Sequence, residues 1–140
     1  MLERVNPPEW WTPVERTEVK VVGPDEGEPG LLTIRVKLAP DPRSNKWVEY
    51  FLHPQLDSWG SFRRPVKDSS GTGGLGFIGA VEDDRLEGYV ATIDECVDAA
   101  NARFEQEDIP VMEAEKLRTT QAAQAAKSRI EKAQERLDKL

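Results

Sequence analysis

The pattern with the clearest chemical meaning is SSGTGGLGFIG, residues 69–79, which fits G-x-G-x-x-G in two overlapping registers. In nucleotide-binding proteins such glycines let the backbone approach a pyrophosphate, which sits on the N-terminus of the following helix. Here the preceding residues, RRPVKDSS, are polar and broken by proline, and the next, GFIGAV, predict a strand. The helix predicted after them begins near Asp84, and its acidic first turn would repel a phosphate. We therefore expect a turn-forming loop at this position, and not a P-loop, because no Lys-Ser or Lys-Thr pair follows.

Metal or nucleophilic chemistry would have to use Cys96 and His53, the only cysteine and the only histidine in the sequence. A zinc site needs three or four ligands, and a Cys–His nucleophile pair would require the two side chains to meet in the fold. Cys96 lies on the apolar stripe of a predicted helix, where a buried, inert thiol is usual. Asp94 and Asp98 are one helical turn apart, but a hard cation needs many converging oxygen ligands. We predict no catalytic residue, no cofactor and no metal site.

The segment DSWGSFRRPVK, residues 57–67, interleaves aromatic and basic side chains. Such mixtures can stack bases and hold phosphates, and they also occur at protein interfaces. The chain carries a formal net charge of −7, which opposes broad attraction to nucleic acid and favours a protein partner. The candidate interaction residues in this segment are Trp59, Phe62, Arg63 and Arg64, with Lys67 as a further cation.

The N-terminal arm, residues 1–13, contains the sequence NPPEWWTP, in which prolines block both helix and central strand. Trp10 and Trp11 can be interpreted in two ways. They can cover the edge of the core, since tryptophan is readily buried, or they can anchor a partner, since tryptophan is enriched at interface hot spots. Both are kept as candidate interaction residues.

Length and composition set the general class of the protein. The 140 residues suit one domain, and a single cysteine favours a reducing compartment. The sequence has no window of 18 apolar residues and no apolar segment near its start. We therefore predict an acidic cytoplasmic protein without a membrane partner.

Hydrophobic periodicity predicts an α+β fold: an antiparallel meander of three or four strands followed by two C-terminal helices. In LLTIRVKLAP the apolar residues Leu32, Ile34, Val36 and Leu38 alternate with polar ones, which is typical of a strand with one wet face. Within a core domain of residues 14–110 we predict strands at about 17–23, 31–39, 46–53 and 75–82, and a helix at about 84–106. Spacings of three and four between apolar residues predict this helix, and Pro110 helps to end it.

The predicted third strand, KWVEYFLH, carries apolar groups on both faces, so a second layer should cover it. The connection after it, residues 54–74, has no sustained periodicity, and connections of this length are usually functional or disordered. This permits an alternative function as a small-ligand binder or small enzyme, with residues 54–74 as a lid over Trp47, Phe51 and His53. A nucleic-acid binder using residues 57–67 is the second alternative.

The C-terminal segment, residues 111–140, predicts a helix with a narrow apolar stripe. Its side chains recur at alternating spacings of three and four, as at the a and d positions of a coiled coil. The stripe consists of Ala123, Ala126, Ile130, Ala133, Leu137 and Leu140. We therefore predict a non-enzymatic interaction or assembly module that forms a homo-oligomer through this helix, or binds another protein.

Overall fold

The computed structural model describes residues 8–68 and 74–140, which form an α+β arrangement. The described residues contain four strands: β1 (Glu15–Pro24), β2 (Leu32–Ala39), β3 (Val66–Lys67) and β4 (Leu75–Val81). They also contain three α-helices: α1 (Asn45–Leu52), α2 (Leu86–Arg103) and α3 (Ile109–Asp138). The chain divides into two compact units, the first ending at Phe104 and the second comprising Glu105–Leu140. The predicted fold class is confirmed.

The strands form one antiparallel sheet in the order β1-β2-β4-β3. In the register, Val19 pairs with Val36, and Val36 pairs with Phe77 on β4. Alternate residues of β2 and β4 are buried, as the period of two predicts. The short β3, which pairs with Ile78 and Phe77, lies within the predicted 54–74 connection. One face of the sheet therefore packs on the core, and the other carries Arg35 and Lys37.

The predicted strand at 46–53 is wrong, because these residues form α1. Ser44 caps the helix by accepting a hydrogen bond from the Trp47 backbone N–H at 3.4 Å. Trp47 and Phe51, four residues apart, are its buried residues and stack with ring centroids 5.7 Å apart. Apolar residues on both predicted strand faces were the signal of a helical stripe.

The helix predicted at 84–106 is present as α2, but it starts and ends differently. A 3₁₀ turn, Asp83–Arg85, precedes it, and no side chain caps its first turn. A π-helical segment, Phe104–Asp108, separates α2 from α3. Pro110 lies in the first turn of α3, where its missing N–H leaves no hydrogen bond unmade. Pro110 therefore helps to begin α3 instead of ending the preceding helix.

The core of the first unit lies between the sheet and the helices α1 and α2. Phe51 from α1 contacts Phe77 from β4, with ring centroids 4.7 Å apart. Trp59, from the connection after α1, meets Phe51 edge-on at 5.6 Å. Tyr89 and Ile93 contribute the buried face of α2. The largest fully buried side chains of the described residues are aromatic, led by Trp47, Trp59 and Tyr89, so each carries a substantial share of the apolar burial.

One buried amide joins three distant segments of this unit. The side chain of Asn101 on α2 donates from Nδ2 to the Val14 carbonyl at 2.8 Å. Its Oδ1 accepts from the Val14 N–H and from Trp47 Nε1, both at 3.0 Å. Asn101 therefore fixes the chain entering β1, helix α1 and helix α2 relative to one another, and it pairs three polar groups that burial would otherwise leave unsatisfied.

We predict that Asn101→Ala destabilises the protein by about 3 kcal/mol or more, because a buried group left without its partner costs about 1–3 kcal/mol. Urea denaturation followed by tryptophan fluorescence measures the loss. Asn45→Ala is the matched control, since Asn45 is exposed, and it should change stability by about 0.5 kcal/mol or less. Equal effects of the two substitutions would contradict the role given to Asn101.

Candidate interaction surfaces

In the glycine-rich segment, Gly79 allows the side chain of Tyr89 to pack closely against the sheet. Gly71 and Gly73 lie outside the described residues, and Gly76 and Gly79 are in β4. A Cβ at Gly79 would overlap the Tyr89 hydroxyl and lie 2.9 Å from Tyr89 Cζ. Burial raises the pKa of Tyr89 to about 12, so the phenol is neutral. Gly79 is therefore required for the close approach of Tyr89 to the sheet.

The aromatic residues predicted to face a partner from residues 57–67 belong largely to the fold itself. Trp59 is a core residue, and its Nε1 donates to the Phe51 carbonyl at 3.2 Å. Phe62 is half-buried and meets Tyr89 edge-on at 5.5 Å. The predicted surface role of Trp59 is thus corrected, because this indole fills the space between α1 and α2.

Arg63 and Arg64 of the same segment also have partners within the unit. Arg85 from the 3₁₀ turn lies over the Phe62 ring at 4.1 Å. The Arg63 guanidinium forms an ion pair with Glu28, and Arg64 Nε donates to the Leu52 carbonyl at 2.8 Å. Both arginines remain exposed. The Glu28 carboxylate offsets the charge of Arg63, and the bond to Leu52 occupies one donor of Arg64, so both arginines have less to offer a phosphate.

The two tryptophans of the N-terminal arm have different environments. Trp11 is buried, with its ring centroid 4.8 Å from that of Phe104. The predicted anchor role is therefore corrected for Trp11, which extends the core. Trp10 is 43% exposed, and it remains the arm's candidate for contact with a partner.

The residues considered for metal or nucleophilic chemistry lie in different environments. Cys96 is fully buried, and burial raises its pKa to about 12, whereas His53 at the end of α1 is exposed. Asp94 is paired bidentately with Arg16, at 2.7 and 3.1 Å. This hydrogen-bonded carboxylate raises the pKa of Arg16. Within residues 8–68 and 74–140, no three His, Cys, Asp or Glu side chains are grouped to hold a metal ion.

A cleft near the end of α1 is too small to suggest a drug-sized ligand. It has a volume of about 170 Å³, below the roughly 300 Å³ at which small-molecule sites usually begin. Arg103 lies over the Tyr50 ring at 4.1 Å in its wall. Trp47 and Phe51, which a lid over a ligand would have to expose, are fully buried. Trp59, which belongs to the connection, is buried against the rings of Phe51 and Tyr89.

The apolar stripe predicted for residues 111–140, here named the α3 seam, differs from these surfaces because its side chains are exposed to solvent. Its largest members, Ile130, Leu137 and Leu140, are 70%, 60% and 99% exposed. From Ala114 onward every residue is exposed except Ser128 and Ala133, which are half-buried. Since α3 extends to Asp138, the seam residues within it share one helix face.

The α3 seam begins earlier than the sequence pattern indicated. Met112, Lys116 and Thr119 continue the same spacing of three and four towards the start of α3. Met112 is exposed at 43%. The polar Lys116 and Thr119 interrupt the apolar pattern and hid this extension, although Met112, four residues before Lys116 and seven before Thr119, was a usable signal.

The chain matches no protein-family model, no curated protein and no solved structure. In the described part of the chain, no helix combines the length and apolar character needed to cross a membrane.

We predict that Cys96 of the folded protein resists modification by a thiol-specific reagent at pH 8. Burial blocks access, and with a pKa near 12 the thiolate fraction is only about 10⁻⁴. Ellman's reagent should react within seconds in guanidinium and far more slowly under native conditions. Rapid native labelling would contradict the burial of Cys96.

Proposed function

We propose that this protein is a non-enzymatic assembly module that self-associates through the α3 seam. The observation that carries the proposal is the exposure of Ile130 and Leu137 along one face of a 30-residue helix. Aliphatic side chains repeated on a single helix face are the pattern through which helices pair in water.

What a long helix needs in order to be stable in water supports a partner for α3. The segment has good intrinsic helix propensity, since alanine, glutamine, glutamate, lysine and arginine dominate it. Propensity alone leaves isolated helices marginal in water, and most helical stability in proteins comes from packing an apolar face. Pairing with a second copy would supply that packing.

The composition of the α3 seam favours a short distance between the paired helices and a moderate affinity. Three of its six members are alanines, which let partner backbones approach and bury little surface. Ile130, Leu137 and Leu140 would then contribute most, at about 1.5–3 kcal/mol for each fully buried side chain. The other candidate interaction residues, Trp10, Phe62, Arg63 and Arg64, would add a contact with a different protein.

We predict that Ile130→Glu combined with Leu137→Glu abolishes self-association. In a dimer the change would place four carboxylates at the seam and remove four aliphatic contacts, weakening association at least about 100-fold. Sedimentation equilibrium measures the mass, for which one chain is 15.7 kDa. The wild-type chain should show a larger, concentration-dependent mass, and the variant should sediment as one chain.

The matched control is Val111→Glu combined with Leu117→Glu, which introduces the same charges on α3 at exposed positions outside the seam. It should associate like the wild-type chain. A monomeric wild-type protein, or equal weakening by both pairs of substitutions, would refute the proposal.

A further inference from the structure

We infer that the second copy binds α3 in the antiparallel orientation, an inference that rests on the proposed self-association. The two halves of α3 carry opposite charge next to the seam. Glu113 and Glu115 flank its start, whereas Lys127, Arg129 and Arg136 flank its later part. Residues flanking the a and d positions set the partner and orientation of paired helices through interhelical ion pairs.

Parallel pairing in register would gain no ion pair at these flanks. Lys116 occupies a core position between Met112 and Thr119, so a parallel dimer would place two lysines against each other at the interface. The flanking residues that face each other across a parallel pair lie five apart in sequence. From the start of α3 they would be Glu115 with Thr120, Ala122 with Lys127, and Arg129 with Gln134.

Antiparallel pairing brings the acidic start of each helix to the basic end of its partner. In two alignments, one heptad apart, Met112 lies opposite an aliphatic seam residue of the partner. In the first, Met112 faces the partner's Ile130, while Glu113 and Glu115 lie beside the partner's Lys127 and Arg129.

In the second alignment, Met112 faces the partner's Leu137, Ala123 faces the partner's Ala126, and Glu115 lies beside the partner's Arg136. Lys116 faces an alanine in both alignments, Ala126 in the first and Ala133 in the second, which leaves room for its aliphatic stem. Charge and shape therefore both favour the antiparallel orientation.

Exposed aliphatic side chains at both ends of α3 fit the antiparallel orientation. Met112 near the start of α3 and Leu137 near its end are both exposed, at 43% and 60%. Antiparallel pairing matches the sparse aliphatic groups of one end with those of the other. The helix would thus be covered along most of its length by a second copy of the same sequence.

Distances between spin labels test the orientation. We choose Gln121→Cys and Glu135→Cys, each made separately with Cys96→Ala, because both positions are exposed and lie away from the seam and its flanks. With a rise of 1.5 Å per residue, antiparallel pairing separates the Glu135 labels by about 32–42 Å along the axis, and the Gln121 labels by about 10 Å or less.

Pulsed electron spin resonance should therefore give an intermolecular distance at position 135 at least about 15 Å longer than at position 121. Equal distances at the two positions would show parallel helices and overturn the inference, with self-association intact. The absence of any intermolecular distance in both variants, together with a monomeric unlabelled protein, would overturn self-association and the inference with it. Sedimentation of the labelled variants controls for effects of the label.

Discussion

The first unit depends on the hydrogen bonds that the buried side chain of Asn101 forms. Its amide holds both polar groups of the Val14 backbone and the indole N–H of Trp47, so the entry to β1 and helix α1 are fixed to α2. With α1 in place, the ring of Phe51 packs against that of Trp59, and Trp59 joins the connection of residues 54–74 to the core. The unit packs its large aromatic side chains against one another, and this is why Trp11 and Trp59, two of the residues expected to bind a partner, lie in its core.

The second unit presents the opposite situation. The sequence of α3 favours a stable helix, but the aliphatic side chains of its seam are exposed to solvent. A 30-residue helix spans about 45 Å, a long surface with little apolar area per turn.

The fold class could be predicted from sequence because β2 and α2 have unbroken periods of two and of three to four. The error at 46–53 arose because Trp47, Val48, Phe51 and Leu52 fit a helical stripe as well as a two-faced strand, and Ser44 was the cap that distinguished them. Burial of Trp11 and Trp59 could not be predicted, since tryptophan suits cores and interfaces equally. The role of Asn101 depends on contacts 87 and 54 residues away in sequence, which no local pattern reveals.

The most direct test of the account is hydrogen exchange of the α3 amides at several protein concentrations, followed by mass spectrometry. An unpaired helix with an exposed seam opens readily, whereas packing against a partner protects its amides. Exchange between residues 119 and 137 should slow markedly as concentration rises, while exchange in β2 and β4 stays constant. Exchange in α3 that is fast and the same at every concentration would contradict self-association through this helix.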